Sequence, residues 1–416
     1  MKLIADLHLH SKYSRATSEQ MNVRDLAAAA KIKGLNLLGT GDFTHPKHLA
    51  DLKRDLIPQD NGFYLHDSMN YILTSEISLI YSQDGKGRRV HLLLLAPSFD
   101  IVDQINDSLL KWGRLDYDGR PIFGRSIPEL MDLRKSVSKQ IEVIPAHAWT
   151  PWYGIFGSMS GFDSIKEAFG EHAADVHALE TGLSSDPAMN WRLSALDPYS
   201  LVSFSDSHSP SPWRIGREAT IFNVDSYKDV LSALKEKDPQ RLLATIEVDP
   251  AYGKYHWDGH RDCNVSLSPE EAKRLNNVCP ACHKPLTIGV EHRIEELADR
   301  PVGYQPKNAI PFIKLIPLSE ILAAVYQKGL ATKVVTLEAD KLIKSFGSEL
   351  NVLMDAPEKA LKDVTSERVA AAIVLSRTGR VKVRPGYDGV YGVPEFEGTP
   401  PAPEQKKPPQ KTLGEY

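Results

Sequence analysis

Short apolar runs recur through the first 245 residues of this 416-residue chain, and most of them lead into a histidine or a carboxylate. The runs lie at residues 3–5, 35–38, 90–95, 143–144 and 201–204. Continuous apolar runs of this length are typical of buried strands in a parallel sheet. Between the first two runs, Asn22 can cap a helix, Asp25 follows three residues later, and Gly34 can end the helix. This strand–helix–strand unit predicts the α/β class, as a β/α barrel or an open α/β sheet.

Changes in composition divide the chain into four predicted parts. Residues 1–245 form the α/β part, and residues 246–300 hold all three cysteines. Residues 301–398 combine helical patterns with a strand-like close, which predicts an α+β region. Residues 399–416 are rich in Pro, Lys and Gln, so we expect a disordered tail.

The bulk composition excludes several classes of protein. The formal net charge is -4, so nucleic-acid binding would need a local basic patch. No apolar run approaches the ~20 residues of a membrane span, and the first residues do not resemble a signal peptide. Three cysteines cannot pair evenly, which favours a reducing compartment. We therefore expect a cytoplasmic protein.

Two histidines one residue apart, His8 and His10, follow the first apolar run. Residues i and i+2 of a strand point to the same face, so both imidazoles can reach one ion. Other imidazoles and carboxylates accompany the later runs, and the carboxyl ends of strands build the active sites of α/β folds. The predicted metal ligands are His8, His10, Asp42, Glu76, His91, His147, Asp206 and His208. For Asp42 and His91, the main alternative is a hydrogen-bonded core residue.

Imidazole and carboxylate ligands suit zinc, and also manganese or iron. Eight candidate ligands exceed the needs of one ion, so we expect two divalent ions. Glu76 could bridge them at a separation of roughly 3.5–4 Å, and such a pair supports displacement at a phosphoester. Catalysis is then expected to depend on Glu76, His147 and Asp206.

A second set of metal-ligand residues lies in the cysteine-containing part. His260 and Cys263 form H-x2-C, and Cys279 and Cys282 form C-x2-C fifteen residues further on. Paired ligand turns at this spacing are typical of a closed, tetrahedral structural zinc site. The fourth ligand stays open, because His256, His283 and His292 also lie nearby. The alternative is a redox C-x-x-C, which the surrounding sequence does not favour.

Two segments could contact nucleic acid. Arg380, Lys382 and Arg384 would share one strand face, which suits a phosphate backbone. The alternative is an edge strand protected by charge. The aromatic residues Trp149, Trp152 and Tyr153 follow His147 and could stack on a base or wedge beside one. The alternative there is a loop that folds over its own small core.

The last residues of the chain suggest a further partner. Gln410, Leu413 and Tyr416 have the spacing Q-x-x-L-x-x-aromatic, which resembles a sliding-clamp-binding peptide. The second aromatic residue of the usual pattern is missing.

The ligand motifs carry a family resemblance over residues 1–245. His8-Leu9-His10, Glu76, Pro145-Ala146-His147 and Ser205-Asp206-Ser207-His208 resemble the motifs of the PHP (polymerase and histidinol phosphatase) family. The resemblance implies a distorted β/α barrel with two or three metals that hydrolyses phosphoesters. Where the family often has a histidine, this sequence has Phe43, and His45 is the nearby alternative. The resemblance therefore leaves a third metal open.

Nearly the whole chain resembles the endonuclease Q family. The resemblance rests on the PHP motifs, the H-x2-C…C-x2-C module, and residues 41–46, 276–280 and 384–392. It implies a nucleoid-associated repair endonuclease that cuts DNA on the 5′ side of deaminated bases (hypoxanthine, uracil, xanthine) and of abasic sites. The expected architecture is a PHP-type barrel followed by a small zinc module and an α+β C-terminal region that binds DNA.

This hypothesis divides the predicted ligands between two ions. His8, His10, Glu76 and Asp206 hold one ion, Glu76, His91 and His147 hold the other, and His208 with Asp42 completes the site. Two rival functions remain. A small-molecule phosphatase would use the same ligands but would not need residues 252–416. A non-enzymatic DNA-binding or clamp-binding scaffold would not need the ligand set.

Overall fold

The computed structural model describes residues 1–396, so the predicted clamp-binding residues lie outside the described part of the chain. The strands are β1 (Lys2–Asp6), β2 (Leu37–Gly39), β3 (Ile57–Pro58), β4 (Tyr64–His66), β5 (Met69–Gln83), β6 (Lys86–Ala96), β7 (Ile122–Phe123), β8 (Glu142–Pro145), β9 (Ala178–Glu180), β10 (Ser200–Val202), β11 (Ala219–Asn223), β12 (Leu242–Glu247), β13 (Asp258–His260), β14 (Val265–Leu267), β15 (Phe312–Lys314), β16 (Lys382–Arg384) and β17 (Val393–Glu395).

Helices alternate with the strands in the first half of the chain and dominate the end of it. They are α1 (Val23–Lys33), α2 (Pro46–Asp55), α3 (Phe99–Leu109), α4 (Ile127–Val137), α5 (Ile165–Phe169), α6 (Pro187–Asn190), α7 (Tyr227–Glu236), α8 (Pro269–Arg274), α9 (Val290–Leu297), α10 (Leu318–Tyr326), α11 (Lys333–Phe346), α12 (Glu349–Met354), α13 (Glu358–Val364) and α14 (Glu367–Arg377). Within residues 1–396, none of these helices has the length and apolar character needed to cross a membrane.

The helix predicted between the first two strands forms as its end signals indicate. The Asn22 side chain accepts a hydrogen bond from the Asp25 backbone N–H, which caps the first turn of α1. Gly34 ends the helix in the left-handed conformation, with φ at 102°. Glycine adopts that conformation without the steric cost of a Cβ atom. The result is a strand–helix–strand unit in which β1 and β2 pair in parallel.

The central sheet is mixed, whereas the apolar runs indicated strands of a parallel sheet. β1 lies between β2, which is parallel to it, and β11, which is antiparallel. The long strands β5 and β6 form an antiparallel hairpin, and β8 pairs antiparallel with β6. The hairpin turns at Asp84 and Gly85, with φ angles of 52° and 74°. Two consecutive positive φ angles suit a two-residue hairpin turn, and Asp-Gly is a preferred sequence for it.

The predicted α/β class is confirmed, but the predicted barrel is not closed by strand pairing in the described residues. The main sheet ends at β8, and β9 and β10 form a separate parallel pair. Single backbone hydrogen bonds connect this pair to its neighbours on both sides. Ala148 N donates to Glu180 O at 2.9 Å, and His10 N donates to Ser207 O at 3.1 Å. The segments that follow β1, β8, β9 and β10 therefore meet at one place.

The C-terminal helices pack on the α/β part and share its core. Val335, Leu342 and Val369 belong to the same buried cluster as residues of the central sheet. β15 extends that sheet by pairing in parallel with β12. Lys33 of α1 and Glu349 of α12 form an ion pair of 2.7 Å in which both side chains are buried. Removing one partner of such a pair would leave an uncompensated buried charge, so a substitution of either residue alone would be destabilising.

Candidate metal centre

Two groups of metal-binding side chains meet at Glu76. The first group comprises His8, His10, Glu76 and Asp206, and the second comprises Glu76, His91 and His147. In each group, one ligand atom from every residue lies within 4.8 Å of the others. The side chain of Glu76 belongs to both groups and is fully buried. A carboxylate shared in this way can hold two adjacent ions.

The surrounding strands position these side chains in two different ways. His8 and His10 lie just beyond β1, His147 follows β8, and Asp206 follows β10. These four match the prediction that ligands lie at the ends of strands. Glu76 and His91 lie inside β5 and β6 instead. Their strands pair so that Glu76 is opposite Leu93 and Ser78 is opposite His91, which places both side chains on one face.

The backbone is strained at three residues of the site. Asp42, His147 and Asp206 have φ angles of 45°, 32° and 47°. Few residues other than glycine adopt this left-handed region, and such strain concentrates at functional sites. At His147 the conformation is held by a hydrogen bond of 2.7 Å from its backbone N–H to Glu180 Oε2.

Both carboxylate oxygens of Glu76 face imidazole nitrogens. Oε1 lies 2.8 Å from His91 Nδ1 and 3.2 Å from His147 Nε2. Oε2 lies 3.3 Å from His10 Nε2, and that nitrogen is also 3.2 Å from Asp206 Oδ1. His8 Nε2 completes the first group at 3.5 Å from Glu76 Oε1.

Three buried atoms of the first group form no hydrogen bond within residues 1–396. They are His8 Nε2, His10 Nε2 and Asp206 Oδ1. Polar atoms buried without a partner are costly and therefore rare in native proteins. Here the three atoms converge, and their chemistry is that of ligands for a divalent ion. The donor set thus fits the predicted metal centre.

The charges of the site favour ionised carboxylates. Burial raises the pKa of Glu76, but His91, Arg120 and His8 outweigh that effect and hold the pKa well below its usual value. The pKa of Asp206 is lowered in the same way, because the nearby imidazoles of His10, His8 and His208 overcome the effect of its burial. Both side chains are therefore available as anionic ligands at neutral pH.

The histidines divide into two electrostatic classes. Burial lowers the pKa of His91 to about 4, so this imidazole is neutral and ready to bind metal. Burial also disfavours a charged His8, but the carboxylates of Glu180, Glu76 and Asp206 raise its pKa well above the usual value. The pKa of His10 is raised likewise, mainly by the carboxylate of Asp42. The carboxylates around His8 and His10 thus favour their protonated forms, and a bound ion would compete with those protons.

Asp42, predicted as a ligand, lies outside both groups and instead holds His10. Asp42 Oδ1 is 3.1 Å from His10 Nδ1, and its Oδ2 accepts hydrogen bonds from the hydroxyls of Ser11 and Ser14. A carboxylate on the second nitrogen of a metal-binding imidazole orients the ring and sets its tautomer. The predicted ligand role of Asp42 is therefore corrected to an orienting role.

His208 and His45 also lie outside the two groups. His208 is one-third exposed, its Nδ1 is 3.1 Å from Asp206 O, and its ring centroid is 4.4 Å from that of His10. His208 thus borders the first group on the solvent side. His45 stacks on Tyr13 with 4.6 Å between ring centroids, and Phe43 is fully buried in the core.

Two further residues of the site were missed in the sequence. Glu180 receives His8 Nδ1 at 3.0 Å and the His147 backbone N–H at 2.7 Å, so one carboxylate supports both groups. Its sequence signal is an acid at the end of the short run Ala178-Leu179, which is too brief to stand out. Arg120 donates to Glu76 Oε2 at 2.8 Å from a loop, and no local pattern marks it.

The three aromatic residues predicted to contact nucleic acid differ in their exposure to solvent. Trp149 is fully buried, packs on Phe156, and donates to Asn190 Oδ1 at 2.7 Å. Its prediction as a DNA contact is therefore wrong, because the ring has no exposed face. Trp152 and Tyr153 are partly exposed, and the Tyr153 ring lies 4.3 Å from that of His91. Tyr153 therefore borders the metal centre, whereas the ring of Trp152 contacts Tyr255 at 5.5 Å between centroids.

The predicted basic strand is shorter than expected. Lys382 and Arg384 lie in β16 and share its exposed face, while Arg380 is exposed before the strand begins. β16 pairs with β17 and packs beside the 3-10 helix Pro250–Tyr252. That helix in turn packs beside Gly182–Ser184, the segment that follows Glu180. The basic strand is thus connected to the metal centre through two short packed segments.

The cysteine-containing part brings a separate set of metal-binding side chains together. One ligand atom each of His260, Cys263, Cys279 and Cys282 lies within 4.8 Å of the others, and all three cysteines are free thiols. His260 ends β13, and Cys282 Sγ lies 3.7 Å from its Nδ1. Three cysteines and one histidine at this separation suit tetrahedral zinc.

Two of the alternative fourth ligands are engaged elsewhere. His292 Nδ1 lies 2.6 Å from Asp258 Oδ2, and His256 Nε2 lies 3.4 Å from Glu291 Oε2. Within residues 1–396, the metal-binding group that includes the three cysteines contains His260 and neither His292 nor His256. The geometry therefore favours His260 as the fourth donor.

Comparisons of the sequence identify one family profile and two curated relatives. Residues 317–380 match the MJ0043 C-terminal domain family. Protein MJ0043 of Methanocaldococcus jannaschii is 33% identical over 258 residues, which cover 60% of this chain and 32% of MJ0043. The chain therefore spans about a third of that relative's length. Protein YqxK of Bacillus subtilis is 29% identical over 94% of this chain and 98% of its own length.

Comparisons of the structure extend over almost the whole chain. The lesion-specific endonuclease PfuEndoQ from Pyrococcus furiosus is 33% identical, with a TM-score of 0.86 and coverage of 96% of both chains. A second structure, endonuclease Q in complex with a 27-mer duplex carrying an abasic lesion at the active site, is 34% identical, with a TM-score of 0.86. This match covers 96% of this chain and 97% of the other. The chain therefore belongs to the endonuclease Q family.

Proposed function

We propose that this protein is a metal-dependent repair endonuclease that cuts the DNA phosphodiester on the 5′ side of deaminated bases and abasic sites. As a member of the endonuclease Q family, it is a DNA-cleaving hydrolase. The observation that carries the lesion specificity is the full-length similarity to an endonuclease Q bound to a duplex with an abasic lesion. Hypoxanthine, uracil and xanthine are the deaminated bases that we include. This role would place the protein at the nucleoid.

Two divalent ions would be held by the two groups that share Glu76. His8, His10, Glu76 and Asp206 would bind one ion, and Glu76, His91 and His147 would bind the other. His208 stays a candidate for an additional ligand, because it borders Asp206 from the solvent side. Zinc suits this donor set, and manganese or iron are alternatives. Bound ions would supply Lewis-acid polarisation of the phosphate and a more acidic water molecule.

The surrounding residues of the chain prepare this site before DNA arrives. Glu180 and Asp42 hold the second nitrogens of His8 and His10, so that both Nε2 atoms face Glu76 and Asp206. Arg120 offsets the negative charge of Glu76, and 28% of its side chain is exposed. A guanidinium in that position suits the recognition of a phosphate oxygen.

The DNA would approach from the side of the partly exposed aromatic residues. Trp152 and Tyr153 could stack on or wedge beside a base next to the metal centre. Arg380, Lys382 and Arg384 would contact the phosphate backbone. A structural zinc at His260, Cys263, Cys279 and Cys282 would shape the module between these two surfaces.

A cleavage assay on matched duplexes tests the proposal. Four end-labelled duplexes of one sequence carry a deoxyinosine, a deoxyuridine, an abasic site or an undamaged base at a single position. We expect a cut immediately 5′ of each lesion and none in the undamaged duplex. Equal cutting of all four duplexes would remove the lesion specificity. Hydrolysis of a small phosphomonoester without any cut in DNA would instead support the small-molecule phosphatase.

A further inference from the structure

A second histidine–carboxylate cluster lies between α4 and the short 3-10 helix Gly170–Asp175. One oxygen each of Asp132 and Glu171 and one ring nitrogen of His172 lie within 4.8 Å of one another. This cluster shares no residue with the two groups around Glu76 or with the cysteine group. Its residues come from two elements that pack against each other, so the cluster lies at a junction in the fold.

The histidine of this cluster has a buried nitrogen without a hydrogen bond. His172 is 3% exposed, and its Nε2 forms no hydrogen bond within the described part of the chain. Asp132 Oδ1 lies 3.0 Å from that nitrogen, but the pair does not have hydrogen-bond geometry. A buried nitrogen left in this state is costly. Two ligand atoms of one metal ion lie at a similar distance from each other, so His172 Nε2 and Asp132 Oδ1 are placed as they would be around a shared ion.

The second nitrogen of the same imidazole faces another carboxylate. His172 Nδ1 lies 3.4 Å from Asp175 Oδ2. A carboxylate on one ring nitrogen is the usual support for a histidine that binds metal through the other nitrogen. Asp175 would therefore orient the ring and direct Nε2 towards Asp132 and Glu171.

The charge of the cluster is not balanced by nearby basic residues. Asp132 and Asp175 form ion pairs with His172, and no Lys or Arg of residues 1–396 pairs with either of them or with Glu171. Three carboxylates thus surround a single imidazole. Such a concentration of negative charge favours a divalent cation over a lone histidine partner.

We propose that Asp132, Glu171 and His172 form a peripheral site for a first-row divalent transition-metal ion, with zinc as the best match to the donors. Three protein ligands leave the other positions to water, so the ion would bind more weakly than one in the closed cysteine site. The ion would join α4 to the 3-10 helix that precedes β9. Since β9 ends at Glu180, the site would stabilise the segment that carries this supporting carboxylate.

Zinc content measured on the full-length protein tests this site. The test variant is Asp132→Asn/Glu171→Gln, which changes two exposed side chains to amides of the same shape. The matched control is Asp107→Asn/Glu236→Gln, which removes two exposed acids elsewhere. All proteins are dialysed against the same free zinc concentration at neutral pH and analysed by plasma emission. We expect about one zinc per chain fewer in the test variant than in the wild type and the control.

Crystals of the wild type soaked in zinc provide a second readout that does not depend on a variant. An anomalous scattering peak at His172 Nε2 between Asp132 and Glu171 would support the site. Equal zinc content in all three proteins, together with no anomalous peak at His172, would overturn it. The cluster would then be a contact between a buried histidine and surface carboxylates that holds no metal.

Discussion

The cluster around Glu76 draws its donors from residues spread between positions 8 and 208, whereas the cysteine cluster draws all four from residues 260–282. The first is carried by long paired strands and by a large buried core. The second stands on a core of only three buried residues, Ala272, Cys279 and Leu286. A core this small supplies little folding free energy, so a metal must contribute to it. We infer that the folded core positions the first metal site, whereas the metal at the second site stabilises the small module around it.

Replacing a cysteine of the small module should have the largest effect. Structural zinc contributes about 10–16 kcal/mol in zinc-finger peptides, so Cys279→Ser should unfold residues 258–286 locally. Hydrogen exchange followed by mass spectrometry would show loss of protection there and unchanged protection in β5 and β6. Ala281→Ser, in the same turn, serves as the control. Intact protection of the module in Cys279→Ser would show that the module does not depend on metal.

Replacing the shared carboxylate of the first site should abolish function without unfolding the chain. Glu76→Gln keeps the shape of the side chain but removes the charge that both groups share, so DNA cutting should fall at least about 10³-fold. The thermal midpoint should stay close to that of the wild type. Glu142→Gln alters another buried carboxylate, one that pairs with His177 outside the site, and should keep its activity. Comparable activity in the two variants would refute the bridging role.

Replacing a supporting residue should have a smaller effect. Glu180→Gln removes the charged partner of His8 Nδ1, and losses of orienting partners typically cost about 10–100-fold in metal affinity or activity. Titration with manganese should then restore much of the lost rate, because the ligands themselves remain. Failure of high metal concentration to raise the rate would indicate that Glu180 acts on the chemical step instead.

The smallest effect concerns the pH dependence of the metal-free protein. Carboxylates raise the pKa of His8 and His10, and burial raises the pKa of Glu247 to about 8. The folded state then binds more protons than the unfolded state, between about pH 4.5 and 8 at Glu247 and above about pH 6.5 at the two histidines. Stability should therefore fall as pH rises through these windows, by about 1.4 kcal/mol per pH unit for each such proton. Urea unfolding of chelated protein at several pH values measures this slope. Saturating metal should reverse the part of this slope that His8 and His10 contribute, because metal competes with their protons and not with the proton of Glu247.

The same comparison explains how much could be predicted from the sequence. The cysteine cluster is local, and its ligand spacing predicted that the three cysteines would meet, while the choice of His260 over the neighbouring histidines was left open. The donors around Glu76 could be recognised because each one accompanies an apolar run, and His8 and His10 alternate along one backbone segment. Their division between two ions followed from the hypothesis built on the family resemblance. The strand pairing that brings Glu76 and His91 together was not predicted, because it depends on an antiparallel hairpin whose local signal is only the two residues Asp84-Gly85.

Residues that act through other residues were the hardest to predict. Glu180 and Arg120 touch the site only because distant segments fold together, so no local pattern identifies them. The prediction that Trp149 contacts nucleic acid was wrong for the opposite reason, because a local pattern was present but misleading. Its aromatic neighbours suggested a surface loop, but the ring fills the core and its N–H finds Asn190, which lies 41 positions later in the chain.

The central claim is that the donors around Glu76 hold the metal ions that allow DNA to be cut. The most direct measurement combines metal content and the rate of cutting of a deoxyinosine duplex, in chelated wild type and in Asp206→Asn, as metal is restored. We expect the wild type to regain both metal and a cut 5′ of the inosine, while Asp206→Asn binds less metal and stays inactive. Equal cutting by both proteins, or full activity of the chelated wild type, would contradict the account.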